Sequence, residues 1–210
     1  SNCPNLEEIH DVAFEKHLSN CTDWITGSPI KVLRNCTVES DIIPFQNITT
    51  LTTIDNMTWK YRNIGGKFYG CTGLETVTIN ITDQVTTAFI DGKGTFENCT
   101  SLREIDFTES DLSNLRQFDR MFYGDSSLTT IKNFKVTNPN ATCGNKVLTE
   151  CPINNTDGLY IGSQSSLDMF KLGEGSKITN FTDFEIATNV KDLSHLFENY
   201  QLITKDMSIP

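Results

Sequence analysis

Cys71 and Cys99 stand at the same place in two copies of one phrase, Phe68-Tyr69-Gly70-Cys71-Thr72-Gly73-Leu74 and Phe96-Glu97-Asn98-Cys99-Thr100-Ser101-Leu102. Two thiols held in register can oxidise to a disulfide, and that is the first chemistry this chain offers. Seven cysteines occur, Cys3, Cys21, Cys36, Cys71, Cys99, Cys143 and Cys151, and Cys3, Cys21 and Cys151 fall at the same place in further copies. If the copies stack as neighbouring coils, equivalent positions lie one strand spacing apart, ~4.8 Å, within the ~4.4–6.8 Å that a disulfide needs between Cα atoms. Cys71 with Cys99 and Cys3 with Cys21 are the geometric candidates, and Cys143 with Cys151 could close the segment between them. Seven is odd, so one cysteine stays free or bonds outside the chain, and Cys36 is that candidate. The chain has no C-x-x-C pair, which argues against zinc.

The second chemistry is modification of asparagine. Asn-x-Ser/Thr sequons occur at Asn20, Asn35, Asn47, Asn56, Asn80, Asn98, Asn140, Asn154 and Asn180. Nineteen asparagines give roughly four sequons by chance, so nine is an excess. A turn phrase favoured by the backbone would also raise the number. Position favours glycosylation: Asn20, Asn47 and Asn98 each lie two places after the first residue of a copy, and Asn56 and Asn80 are expected just after their strands. Such corners let a glycan leave the surface without disturbing the interior. The expectation is a heavily N-glycosylated, extracellular eukaryotic protein that carries no cofactor beyond covalent glycans.

Catalysis has little to work with. His10, His17 and His195 come from opposite ends of the chain, and a stack of coils would keep them apart. No G-x-S-x-G, H-E-x-x-H or phosphate-loop motif occurs, and Gly65-Gly66 and Gly92-Lys93-Gly94 read as turns. The net charge of −10, with no lysine–arginine cluster, excludes nucleic acid as a natural partner. No D-x-[DN]-x-[DN]-G calcium loop is present, and the acids are scattered among turns as a solvated face. The chain reads as a non-enzyme without a metal site.

The elements that must position these residues follow from the repeat. Taking the first aromatic of each copy as its start, starts fall at Leu18, Phe45, Phe68, Phe96, Phe122, Phe170 and Phe197, with a degenerate one at Leu148. A step of about 25 residues marks a solenoid, since no single coil can bury its own apolar face. Trp24, Leu51, Leu74, Leu102 and Leu128 come six places after a start and Ile54, Val77, Ile105 and Ile131 nine places after, and Leu6 and Ile9 hold the same places in an opening copy, Ser1 to Ile9, that has lost its first aromatic. Val77-Thr78-Ile79 and Ile105-Asp106-Phe107 alternate as short half-buried strands. Leu115, Phe118, Met121 and Phe122 have helical spacing, as do Val190, Leu193, Leu196 and Phe197. The predicted fold is an α/β repeat, a leucine-rich-repeat solenoid with one parallel sheet and a wall of short helices and turns. It spans 1–210 as a single elongated domain of about eight or nine coils, on the order of 40 Å long, with an irregular insertion near 135–165.

The phrase F-x-x-C-x-x-L-x-x-I-x-I, preceded by Ile64-Gly65-Gly66-Lys67-Phe68, resembles the BspA-like leucine-rich repeat family. Copies ending in Met121-Phe122 and Met169-Phe170 resemble a related variant, and the resemblance is most specific from Phe45 to Phe134. It implies a curved solenoid on a microbial or protist cell surface, commonly in adhesion. It also implies that the cysteines are small buried thiols packed inside the turn, in place of the disulfides that spacing suggests.

Two functions from different classes follow. The first is structural: an extracellular repeat protein forming a surface coat or a head-to-tail fibre, its partner being itself. Leu6 and Ile9 at one end and Leu202 and Ile203 at the other belong to columns that elsewhere have a coil on both sides. The second is an adhesin or receptor ectodomain that binds a surface protein or glycan through the sheet face, whose outward pairs are Glu8/His10, Thr53/Asp55, Thr76/Thr78, Glu104/Asp106 and Thr130/Lys132. No apolar run reaches the ~18 residues of a membrane helix, and no leader pattern opens the chain.

Overall fold

The computed structural model describes residues 3–15, 25, 27–40, 45–82, 89–144, 146–163, 165, 180–182 and 185–192. The described strands of the first half are β1 (Glu8–His10), β2 (Ala13–Phe14), β3 (Val32–Arg34), β4 (Thr37–Val38), β5 (Thr53–Trp59), β6 (Thr76–Ile81) and β7 (Ile90–Asp91). Those of the second half are β8 (Glu104–Asp106), β9 (Leu115–Gln117), β10 (Thr130–Lys132), β11 (Lys135–Val136), β12 (Asn155–Asp157), β13 (Tyr160–Ile161), β14 (Asn180–Thr182) and β15 (Glu185–Ile186). The main sheet runs β1-β3-β5-β6-β8-β10-β12-β14, all parallel and in chain order, so the molecule is a parallel β-solenoid.

One column of paired residues runs through the sheet, although the pairing of β5 with β6 shifts between Ile54 and Met57. Ile9 pairs with Leu33, Leu33 with Ile54, Ile54 with Val77, Val77 with Ile105, Ile105 with Ile131, and Ile131 with Thr156. The expected row of β-branched residues is therefore one axial column, buried along its length. Leu33 joins it from outside the Leu18–Gly27 copy, because the second coil places its strand later than the phrase suggests. Alternation puts the neighbours of this column outward, where Arg34–Asp55 and Glu104–Lys132 join successive coils, and just before the strands Glu7–Lys31 and Glu75–Arg103 do the same. Each of these exposed pairs contributes little, about 0–1 kcal/mol, but unlike charges in neighbouring coils favour the native register over a slipped one.

The expected helical wall is not there. Leu115 lies in β9, which pairs with β7, and Phe118, Met121 and Phe122 follow in turns; almost none of the described residues is helical. The wall is built from β7 and β9, with single bridges Asn63–Asp91 and Gln117–Thr142 extending it to both sides. β11-β13-β15 form a separate three-stranded sheet, and the β2–β4 pair joins the main sheet through β5, so the α/β reading gives way to an all-β coil. Residues at i and i+3 can line one side of a helix, yet they also turn inward wherever a coil rounds a corner. Of the second helical spacing, Val190 lies in a turn against the core, while Leu193, Leu196 and Phe197 lie outside the described residues. The segment near 135–165 contributes β11, β12 and β13.

The start aromatics fill the centre. Phe45, Phe68, Phe96 and Phe122 stack face to face, with centroids 5.4, 5.4 and 6.1 Å apart and rings within 11° of parallel. All four are fully buried, each contributing roughly 1.5–3 kcal/mol. Backbone bonds run beside the rings: Phe68 N–H donates to Thr95 O, Phe96 N–H to Met121 O and Phe122 N–H to Val147 O. Since the acceptor always directly precedes the next start, this ladder places Leu148 as a start without an aromatic ring.

Candidate functional site: the asparagine corners and the cysteine column

Three places in the coil recur with a left-handed backbone, though not every coil uses all three. Two residues after a start, Asn47, Gly70, Asn98, Gly124 and Glu150 have φ of 59°, 70°, 62°, 77° and 67°. Two residues after the central strand residue, Asp11, Asn35, Asn56, Asn133 and Gly158 have φ of 57°, 51°, 53°, 56° and 65°. Two residues before a start, Gly66, Gly94 and Arg120 have φ of 63°, 59° and 56°. Glycine takes this conformation freely and asparagine more readily than most, which explains why these two types recur at the corners.

Four sequon asparagines, Asn35, Asn47, Asn56 and Asn98, sit at such corners. Backbone demand alone therefore accounts for part of the excess, and the exposed side chain accounts for what a glycan would need. Asn35, Asn47, Asn56, Asn140 and Asn154 are exposed, whereas Asn80 and Asn98 are half-buried. Asn56 and Asn80, expected just after their strands, lie inside β5 and β6; Asn56 falls where the register shifts, and Asn80 has a buried Oδ1 with no partner. Asn180 is the first residue of β14, and Asn20 lies outside the described residues.

The amides of the strand-side corner form a ladder along the stack. Asn35 Nδ2 donates to Asp11 Oδ1 at 3.0 Å, and Asn56 Nδ2 donates to Asn35 Oδ1 at 2.9 Å. The Asp11 carboxylate offers only acceptors, so it fixes which way both amides point. On the other corner Asn and Gly alternate: a Cβ on Gly70 or on Gly124 would come within 3.0 Å of Asn47 Oδ1 or Asn98 Oδ1, respectively. Each asparagine thus lies along the stack on the glycine of the next coil.

The cysteines occupy one column, and its chemistry is hydrogen bonding. Cys71 Sγ donates to Phe45 O at 2.9 Å, Cys99 Sγ to Phe68 O at 3.2 Å and Cys151 Sγ to Phe122 O at 2.7 Å. Each thiol thus serves the carbonyl of the start residue one coil earlier. The candidate bond between Cys71 and Cys99 is accordingly not formed; both are thiols, as are Cys3 and Cys36. Cys21, proposed to join Cys3, lies outside the described residues. Cys143 Sγ donates to Ser165 O at 3.0 Å, so it and Cys151 address different carbonyls. Cys36 is fully buried, against Ile9 O and Arg34 O, and a bond to another chain would fall instead to the exposed Cys3.

Burial pushes the Cys71 thiol up to about 12 and the Cys99 and Cys151 thiols upward as well. Thiols so held are not nucleophiles near neutral pH. Asp125 takes the cysteine place in its own coil and is fully buried, its Oδ1 accepting the Cys99 N–H at 2.8 Å. Of the histidines, His10 pairs with Glu8 at 2.8 Å on the open sheet face, while His17 and His195 lie outside the described residues.

One feature of the wall had no sequence signal strong enough to find it. Arg116 lies over the Phe89 ring at 4.3 Å, and Arg120 over Tyr123 at 4.5 Å, with Lys146 5.8 Å from the same ring. Arg120 also forks onto Glu97, with Nε donating to Oε2 at 3.0 Å. Among the described residues no group of three or more His, Cys, Asp or Glu could hold a metal ion, and no helix is long and apolar enough to cross a membrane. Comparison with protein-family models, curated proteins and solved structures gives no match.

Proposed function

We propose that this chain is an extracellular, N-glycosylated repeat protein with a structural role, building a surface coat or a head-to-tail fibre. The observation that carries this reading is the placement of the sequons. Asn35, Asn47 and Asn56 stand exposed at the corners of the coil, and Nδ2 of Asn35 and of Asn56 each gives one hydrogen along the stack and keeps a second position for a glycan. Along that direction the register of the central strand residue repeats from coil to coil, so the same contact between two chains would propagate as a heterologous interface. Resemblance to the BspA-like repeats adds a cell-surface setting.

The second reading is an adhesin or receptor ectodomain. What favours it is the wall with its cation–aromatic pairs, since the charges on the sheet face largely neutralise one another. Negative-stain images and light scattering of concentrated protein separate the two. Filaments that lengthen with concentration support the structural role; discrete short rods at every concentration overturn the fibre and leave the wall as the surface to test.

A further inference from the structure

The third place after the starts from Phe45 to Leu148 holds Ile48, Cys71, Cys99, Asp125 and Cys151. Where this place is a cysteine, its hydrogen goes to the start carbonyl of the preceding coil: Phe45, Phe68 and Phe122 are the acceptors. The series skips one carbonyl, that of Phe96, whose donor by register would come from Asp125. Phe96 O shares the Cys99 N–H, at 3.0 Å, with Asp125 Oδ1 at 2.8 Å, and has a second lone pair to offer.

Asp125 is 0 % exposed. Its Oδ1 is satisfied by the Cys99 N–H, but Oδ2 is buried with no partner. A carboxylate can only accept, and two acceptors cannot bond each other; a carboxylic acid has one O–H to give. The groups facing Asp125 do not favour a charge. From the preceding coil come the Cys99 thiol, committed to Phe68 O, and the Glu97 carboxylate, and from the following coil the Cys151 thiol, committed to Phe122 O and flanked by Glu150. The nearby cation, Arg120, is taken by Glu97.

We propose that Asp125 is held as the neutral acid in the folded chain, its Oδ2–H replacing the cysteine thiol as donor to Phe96 O, so that the stack around Phe122 is fastened in acid and loosened when that proton is released to water. Burial, with a smaller push from Glu97, raises this carboxyl well above its ordinary value. The sign follows from that direction. A group that holds its proton more tightly when folded gives its full stabilisation below the unfolded value, about 4, and loses it as the pH climbs through the folded value. The solenoid thus carries a fastening that favours acidic surroundings.

The experiment compares urea unfolding of the wild type and Asp125→Asn from about pH 3 to about pH 8. The asparagine keeps an N–H donor and cannot ionise, so the other carboxylates cancel in the comparison. The unfolding constant of the wild type should rise relative to the variant by up to tenfold per pH unit within the window and stay level below about pH 4. Parallel curves, or a variant less stable than the wild type at pH 7, would overturn the proposal. Should Asp125→Asn fail to fold, Asp125→Cys restores the column thiol and should show the same gain. The infrared spectrum of the wild type gives an independent reading at pH 7: a carboxylic-acid C=O band, apart from the carboxylate band, is expected in the folded protein, and its absence contradicts the neutral acid.

Discussion

The coil that starts at Phe68 and the coil that starts at Phe122 follow the same backbone path with different side chains at the demanding places. Before the start, Gly66 and Arg120 share a left-handed φ, 63° and 56°. Glycine pays nothing for it, whereas Arg120 offsets the strain by its fork onto Glu97 and its stacking on Tyr123. After the start, Cys71 delivers a thiol hydrogen where Asp125 offers a carboxyl oxygen. The solenoid asks each place for a property, such as a positive φ, a ring-sized volume or a hydrogen donor. Residue identity is secondary, and this is why the copies drift while the register holds.

The largest effect should come from a place where no substitute supplies the property. Phe96 lies between Phe68 and Phe122, and Phe96→Ala should cost about 3–5 kcal/mol by chemical denaturation. A loss below about 1 kcal/mol would mean that the stacked rings do not hold the two coils together.

Next come the left-handed glycines. Gly70→Ala and Gly124→Ala should each cost about 1–3 kcal/mol, because φ is 70° and 77° and the new Cβ meets Asn47 or Asn98. Equal losses at both would show that the two coils share this corner; a loss at Gly70 alone would break the comparison.

A smaller effect separates backbone from sugar. Asn98→Gly keeps the left-handed corner and removes the sequon, so an unglycosylated protein should change by under about 0.5 kcal/mol, while Asn98→Ala should lose about 1–2 kcal/mol. The smallest of the losses should be at Arg34: Arg34→Ala, which removes half of an exposed pair with Asp55, should cost under about 1 kcal/mol in a thermal melt and less at high salt.

The parts of the fold written as strict periods were legible in the sequence. Ile9, Ile54, Val77, Ile105 and Ile131 fall at one offset and form one column, and the Phe starts stack as that offset requires. The wall was misread because Leu115, Phe118 and Met121 turn inward at a corner with the spacing of a helix face. The corners themselves were readable in principle: Gly70, Asn98 and Gly124 align, and only a left-handed φ makes glycine and asparagine interchangeable. The fate of the cysteines was not, since spacing fits a disulfide and a thiol ladder equally well. What decides is the carbonyl of each start residue, which becomes visible only when the coils are stacked.

The most direct test of the account is the mass of the intact protein, isolated from its natural source, before and after removal of N-glycans. The account predicts a loss of several glycans, with the former attachment sites marked by deamidation among Asn35, Asn47, Asn56, Asn140 and Asn154, the exposed sequons. A chain whose mass does not change would contradict the extracellular glycoprotein and return the corner asparagines to a purely backbone role.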